Sequence, residues 1–138
     1  IRRPPRSTRK ESSAASDVYK RQQYAYARAS RILEKSGITP SIDVDFSLLQ
    51  ENSELDLIKT IGLFNSQVRD AANNFAPKVI ARYCHDLEVS FNSFYEHVKV
   101  LDSDNDALKS SRICLVNSFN LTLEKALDLL GISAPNKM

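Results

Sequence analysis

Tyr95, His97 and Lys99 lie close together near the end of one long apolar-striped run, and they carry groups for which a core has little use. Tyr24, Tyr26 and Arg28 offer the same chemistry near the start of the chain. A phenol ring can stack on a nucleobase, while a guanidinium or ammonium can bond base edges or phosphate. Those are the contacts a single-stranded RNA loop requires. Aromatic residues at helical spacing also build ordinary cores, and that is the expected role of Phe91 and Phe94. On pattern alone, the Tyr, Arg and Lys residues stand open between these two uses.

Other chemistry is poorly supplied. The chain has three glycines, each at the end of an expected helix, so no Gly-rich phosphate loop is present. Cys84 and His85 are neighbours and project about 100° apart on a helix, too far to form a dyad. His85 and His97 have no third ligand at helical spacing. A zinc or di-iron site, and with it a metalloenzyme, would need Cys84, His85 and Cys114 to converge, and none is expected. Asp86, Glu88 and Glu96 read as a solvated face. No catalytic residue emerges.

At 138 residues the chain is long enough for one domain with a real core. Its 42% hydrophobic and 26% charged content is that of a globular protein. No apolar run approaches the ~20 residues of a membrane helix, so no membrane partner is expected. Cys84 and Cys114 both fall on expected helices and read as free buried thiols in a reducing, cytoplasmic setting. Of 19 basic and 17 acidic residues, seven and two fall in residues 1–22, which leaves the rest mildly acidic. Nucleic-acid binding would therefore need a local patch and base contacts, not a bulk positive field.

The element that must position these groups is the run Pro77 to Leu101. Val79, Ile80, Tyr83, Leu87, Phe91, Phe94, Tyr95, Val98 and Leu101 recur at steps of three and four, and Pro77 suits a first helical turn. An uninterrupted helix over this run would be about 37 Å long. Before it, Gln23 to Ser36 reads as a helix with Tyr24, Ala25, Ala29, Ile32 and Leu33 as its stripe, stopped by Gly37. Residues 38–52 read as a loop whose Ile42, Val44 and Phe46 tuck against the bundle. Ser53 is expected to cap a helix ended by Gly62, and Asn65 a short one over Ser66 to Asn74. Asp104 or Asn105 should cap a last helix that runs to about Leu130, with Gly131 ending it. The expected fold is all-α: two long antiparallel helices with shorter flanking helices in a bundle.

Residues 1–22, IRRPPRSTRKESSAASDVYKRQ, show no period and almost no large apolar residues. A basic tail or a targeting peptide would fit this composition. The stretch SSAASDVYKRQ also resembles a translated sequencing-library adapter, and the segment is expected to be a non-native leader outside the domain at 23–138.

Residues 23–138 resemble the C-terminal DALR-type anticodon-binding domain of arginyl-tRNA synthetases. QYAYAR at Gln23 to Arg28 is similar to the opening of that domain, and LIKTIGLFNSQVRDAANNFAPKVIARYCHDLEVSFNSFYEHVKVL at Leu57 to Leu101 to its middle. SRICLVNSFNLTLEKALDLLGISAPNKM is similar to its last helix and tail, with the ending LLGISAPNKM the most specific piece. The resemblance implies a tRNA-reading module in which the first helix, the long middle helix and the extreme C-terminus meet at the anticodon loop. By position, Tyr24 and Arg28 match the Tyr and Arg of the opening segment, Tyr95 a base-contacting Tyr, and Met138 the terminal Met. Lys99 stands where some members carry an aromatic, which suggests a phosphate contact there.

The resemblance further implies partners and chemistry beyond this chain. The anticodon loop of tRNA(Arg) would be the RNA partner, and the catalytic domain of the same parent chain the protein partner, in a monomer. The intact parent would join arginine to its tRNA with ATP and Mg²⁺. This fragment has no ATP signature, needs no cofactor of its own and should be inactive alone. A stand-alone helical protein-interaction module is the alternative reading of the same residues.

Overall fold

The computed structural model describes residues 19–136, and among these it contains five α-helices and no strand. They are α1 (Lys20–Ser36), α2 (Asn52–Gly62), α3 (Phe64–Asn73), α4 (Pro77–His97) and α5 (Asp106–Leu129). A short 3-10 turn at Phe46–Leu48 interrupts the long connector. The expected all-α bundle with two long helices is what forms. Pro77 and Ile80 share a groove with Leu129 and Leu130, while Phe91 stacks on Phe119, so α4 and α5 run antiparallel. Tyr26 meets Glu124 and Ser30 meets Asn120, which sets α1 antiparallel to α5.

The core follows the α4 stripe. Tyr83, Leu87, Phe91 and Phe94 are buried against Ile113, Val116, Phe119 and Leu123 of α5. The Phe91 and Phe119 rings lie 4.2 Å apart at 9°, a stacked pair at the centre of the bundle. Tyr83 reaches across to α2, where its hydroxyl donates to the Thr60 and Ile61 carbonyls at 2.6 and 3.1 Å. These are late carbonyls of α2, so one buried phenol ties the end of one helix to the side of another.

Helix boundaries depart from expectation at several points. α1 starts at Lys20, so the domain boundary expected after residue 22 falls inside a helix. Lys20, Arg21 and Gln22 are good helix formers and simply extend it backward. α2 is capped by Glu51 with Glu54, whose side chains satisfy each other's orphan backbone N–H groups, while Ser53 is buried one position into the helix. α3 begins at Phe64, directly behind α2, with Leu63 and not Asn65 at its cap. α4 ends at His97, four residues early, because Val98 turns to extended backbone at φ −123° and ψ 125°. Of the connector's apolar residues, Ile42 and Phe46 are exposed and Leu49 is the one that buries. The cap at Asn105 forms as expected, its Oδ1 accepting from the Leu108 N–H at 3.1 Å. Gly37 and Gly131 close α1 and α5 at φ of 64° and 73°, a left-handed turn open to glycine at little cost.

Both cysteines are free and buried. Burial pushes the Cys84 thiol from its usual 9.0 up to about 12, and burial raises the neighbouring Tyr83 phenol as well. Both groups are neutral in the fold, and the unfolded chain gives up their protons at lower pH. Their stabilisation is therefore complete below about pH 9 and is lost as pH rises towards 12. Thermal melts should show a falling midpoint across that alkaline window, and Cys84→Ala should flatten the fall.

Candidate nucleic-acid interface

Two helices and the non-helical stretch that follows α4 meet at the Tyr95 end of the bundle. α1 runs beside α4 in the same direction, so Gln22 sits at Glu88 and Arg28 reaches Asn92 and Tyr95. The Arg28 guanidinium carbon lies 4.4 Å from the centroid of the Tyr95 ring, a cation–π contact at a surface worth about 0.5–1 kcal/mol. Arg28 Nη1 also donates to Asn92 Oδ1 at 3.4 Å. Tyr95 is 44% exposed and rests its inner side near Phe91, with the ring centroids 6.3 Å apart. A solvent-facing phenol is thus seated on the core stack beneath it and partly covered by an arginine plane.

Arg28 borders two hollows. The larger, of about 370 Å³, is walled by Arg28, Arg31 and Lys35 of α1 and by Tyr95, Lys99 and Leu101 beyond, with Glu96 and Asp102 at its edge. The smaller, of about 310 Å³, lies between Arg21, Tyr24 and Arg28 on one side and Glu88 and Asn92 on the other. Four basic side chains against two acidic ones make the larger hollow locally positive on a mildly acidic body. Flat aromatic and guanidinium faces stand beside these cations. Such a surface can stack unpaired bases and hold the phosphates between them.

Of the residues nominated from sequence, Tyr24, Arg28, Tyr95 and Lys99 come together here; Met138 lies outside the described residues. Tyr24 is half exposed, and so leaves the apolar stripe expected of it. Tyr26 goes the other way: it is buried, its hydroxyl donates to Glu124 Oε2 at 3.1 Å, and burial holds its phenol above the usual range. It is core and offers no face to RNA. His97 is exposed but walls neither hollow, and its Nδ1 pairs with the Ser93 carbonyl at 2.7 Å. Lys99 stands on the non-helical backbone that follows α4, not on a helix face.

Sequence reasoning missed Arg31 and Lys35, which follow Arg28 at three and seven residues and so share its face of α1; that spacing was the available signal. It also missed Asn92 and misplaced Glu88, which is 6% exposed and not solvated. The Glu88 carboxylate accepts from Gln22 Nε2 at 3.1 Å and from Asn92 Nδ2 at 3.2 Å. Among the described residues, no group of three or more His, Cys, Asp or Glu could hold a metal ion, and no helix is long and apolar enough to cross a membrane.

Residues 22–138 match the family model described as the DALR anticodon binding domain. The arginine–tRNA ligase of Listeria monocytogenes serotype 4b (strain CLIP80459) is 45% identical over 119 residues, which cover 84% of this chain and 21% of the relative. The arginine–tRNA ligase of Bacillus subtilis (strain 168) is 41% identical over 119 residues with the same coverage. Among solved structures, Thermus thermophilus arginyl-tRNA synthetase superposes with a TM-score of 0.76 at 35% identity, over 85% of this chain and 20% of its own. A putative arginyl-tRNA synthetase from Campylobacter jejuni gives 0.79 at 27% identity, over 88% of this chain and 26% of its own. The chain spans about a fifth of the length of the curated relatives it matches.

Proposed function

Because this chain belongs to the DALR anticodon-binding domain family, we propose that it reads the anticodon loop of tRNA(Arg) as one part of a larger arginine–tRNA ligase. The observation that carries the reading is the Arg28 guanidinium over the Tyr95 ring, between two hollows and beside Lys99. A splayed base stacks on the free surface of that pair. Tyr24 supplies a second stacking face across Arg28. Lys99, Arg31 and Lys35 hold phosphates, and Met138 at the C-terminus packs its thioether against a base.

The parent attaches arginine to the tRNA with ATP and Mg²⁺, and the fragment contributes recognition and positioning alone. Nothing among the described residues fits ATP or Mg²⁺: there is no Gly-rich loop and no cluster of metal-ligating side chains. In this reading that chemistry belongs to the catalytic part of the parent chain, and the intact protein would meet its tRNA in the cytoplasm.

Tyr95→Ala tests the site. It should weaken binding of an arginine-tRNA anticodon stem-loop by about 1–3 kcal/mol, roughly five- to 150-fold. Helical circular dichroism should be unchanged, since the ring's outer half lies in solvent. Loss of the fold would instead make Tyr95 a core residue, and unchanged affinity would remove it from the interface.

A further inference from the structure

A flexible arginine must be held in place to serve as a platform. Its side chain has many rotamers to lose, and a rim contact with one phenol ring does not fix the plane of the guanidinium. The only hydrogen bond recorded for the Arg28 side chain among the described residues goes to Asn92 Oδ1, and at 3.4 Å it is long. Whether that bond exists at all depends on which end of the Asn92 amide faces Arg28. An amide turned over would present its NH₂ group to a cation that can only donate.

What decides the orientation lies one turn back on α4. Glu88 is almost wholly buried, and its Oε2 stands 3.2 Å from Asn92 Nδ2. A carboxylate accepts and does not donate, so the NH₂ end of Asn92 must face Glu88 and its carbonyl must face Arg28. Burying a carboxylate beneath this surface is costly unless its hydrogen bonds are made. Gln22 supplies one on the far side, at 3.1 Å to Oε1. Gln22 falls in the segment expected to be a non-native leader, and the relay itself runs from Glu88 onward.

We propose that Glu88 is a positioning residue for RNA recognition: through Asn92 it orients the Arg28 guanidinium over Tyr95. It touches no RNA itself. Resting on the anticodon-reading role proposed above, the inference adds that the platform is assembled before the RNA arrives, so that less rotamer freedom is lost on binding.

A double-mutant cycle in the 138-residue chain tests the relay, with an arginine-tRNA anticodon stem-loop as the probe. Glu88→Leu should weaken binding about three- to tenfold where Arg28 is present, the size expected of one released side chain. With Arg28→Ala in place, Glu88→Leu should change binding by less than about twofold, because the group it orients is gone. A purely structural role would cost the same in both backgrounds, and that result overturns the proposal. Asn92→Leu breaks the next link at a less buried site and should behave in the same way, which keeps the test available if Glu88→Leu fails to fold.

A readout without RNA separates this inference from the function it rests on. In the wild-type chain, the Arg28 side-chain NMR resonances should be ring-current shifted by Tyr95. Glu88→Leu should move them towards free-arginine positions. Unshifted resonances in the wild type, or shifts untouched by Glu88→Leu, overturn the relay even where RNA binds.

Discussion

Phe91→Ala should cost about 3–5 kcal/mol of unfolding free energy, read as a large drop in the denaturant midpoint. Phe91 is fully buried and stacks on Phe119 at 4.2 Å, with Phe94 and Tyr95 rings at 6.1 and 6.3 Å. Truncation opens a cavity where the two long helices meet, and neighbours on rigid helices collapse into it only partly. A loss of that size is a large part of the 5–15 kcal/mol typical of a domain. The same ring supports Tyr95 from below, so RNA affinity should fall as well in whatever fraction stays folded. A cost under about 1.5 kcal/mol, the range of volume-conserving swaps, would mean that the stack is not the centre of the core.

Glu54→Ala should cost about as much, roughly 3–5 kcal/mol, by a different mechanism. Glu54 is fully buried; its Oε2 accepts from Arg112 Nε at 2.8 Å and its Oε1 from the Glu51 backbone N–H at 3.1 Å. Removing it strips the α2 capping box and leaves the Arg112 guanidinium, itself mostly buried, without its carboxylate. Glu54→Ala with Arg112→Leu should recover much of the loss, since the stranded charge goes too. Additive losses in the double variant would show that the pair is not coupled.

The stripe from Ile80 to Phe94 and the N1 position of Pro77 were legible because they are local facts of period and backbone chemistry. The early end of α4 was not. Val98 and Leu101 continue a helical step, but Val98 turns to extended backbone and buries together with Val100, two residues on, so the two periods overlap there. Lys99 still reaches the groove, from beyond the helix end.

The exchange between Tyr24 and Tyr26 has a longer-range cause. α1 buries Ala25, Ala27 and Ala29 around both rings, so its own pattern does not say which tyrosine turns inward. Glu124, on α5, decides it by accepting the Tyr26 hydroxyl. Glu88 was hidden for the same reason: an acid beside Leu87 reads as surface until Asn92 and Gln22 are seen around it. The stacking residues were visible by type, whereas the network that holds them had to be seen in space.

The most direct test of the central claim is a binding titration of the 138-residue chain against two RNAs at a stated salt concentration. One is an arginine-tRNA anticodon stem-loop; the other is the same stem-loop with its anticodon changed. The account predicts tighter binding to the arginine anticodon, carried by the bases that stack at Arg28 and Tyr95. Equal affinity for both stem-loops, or binding to neither, would contradict it.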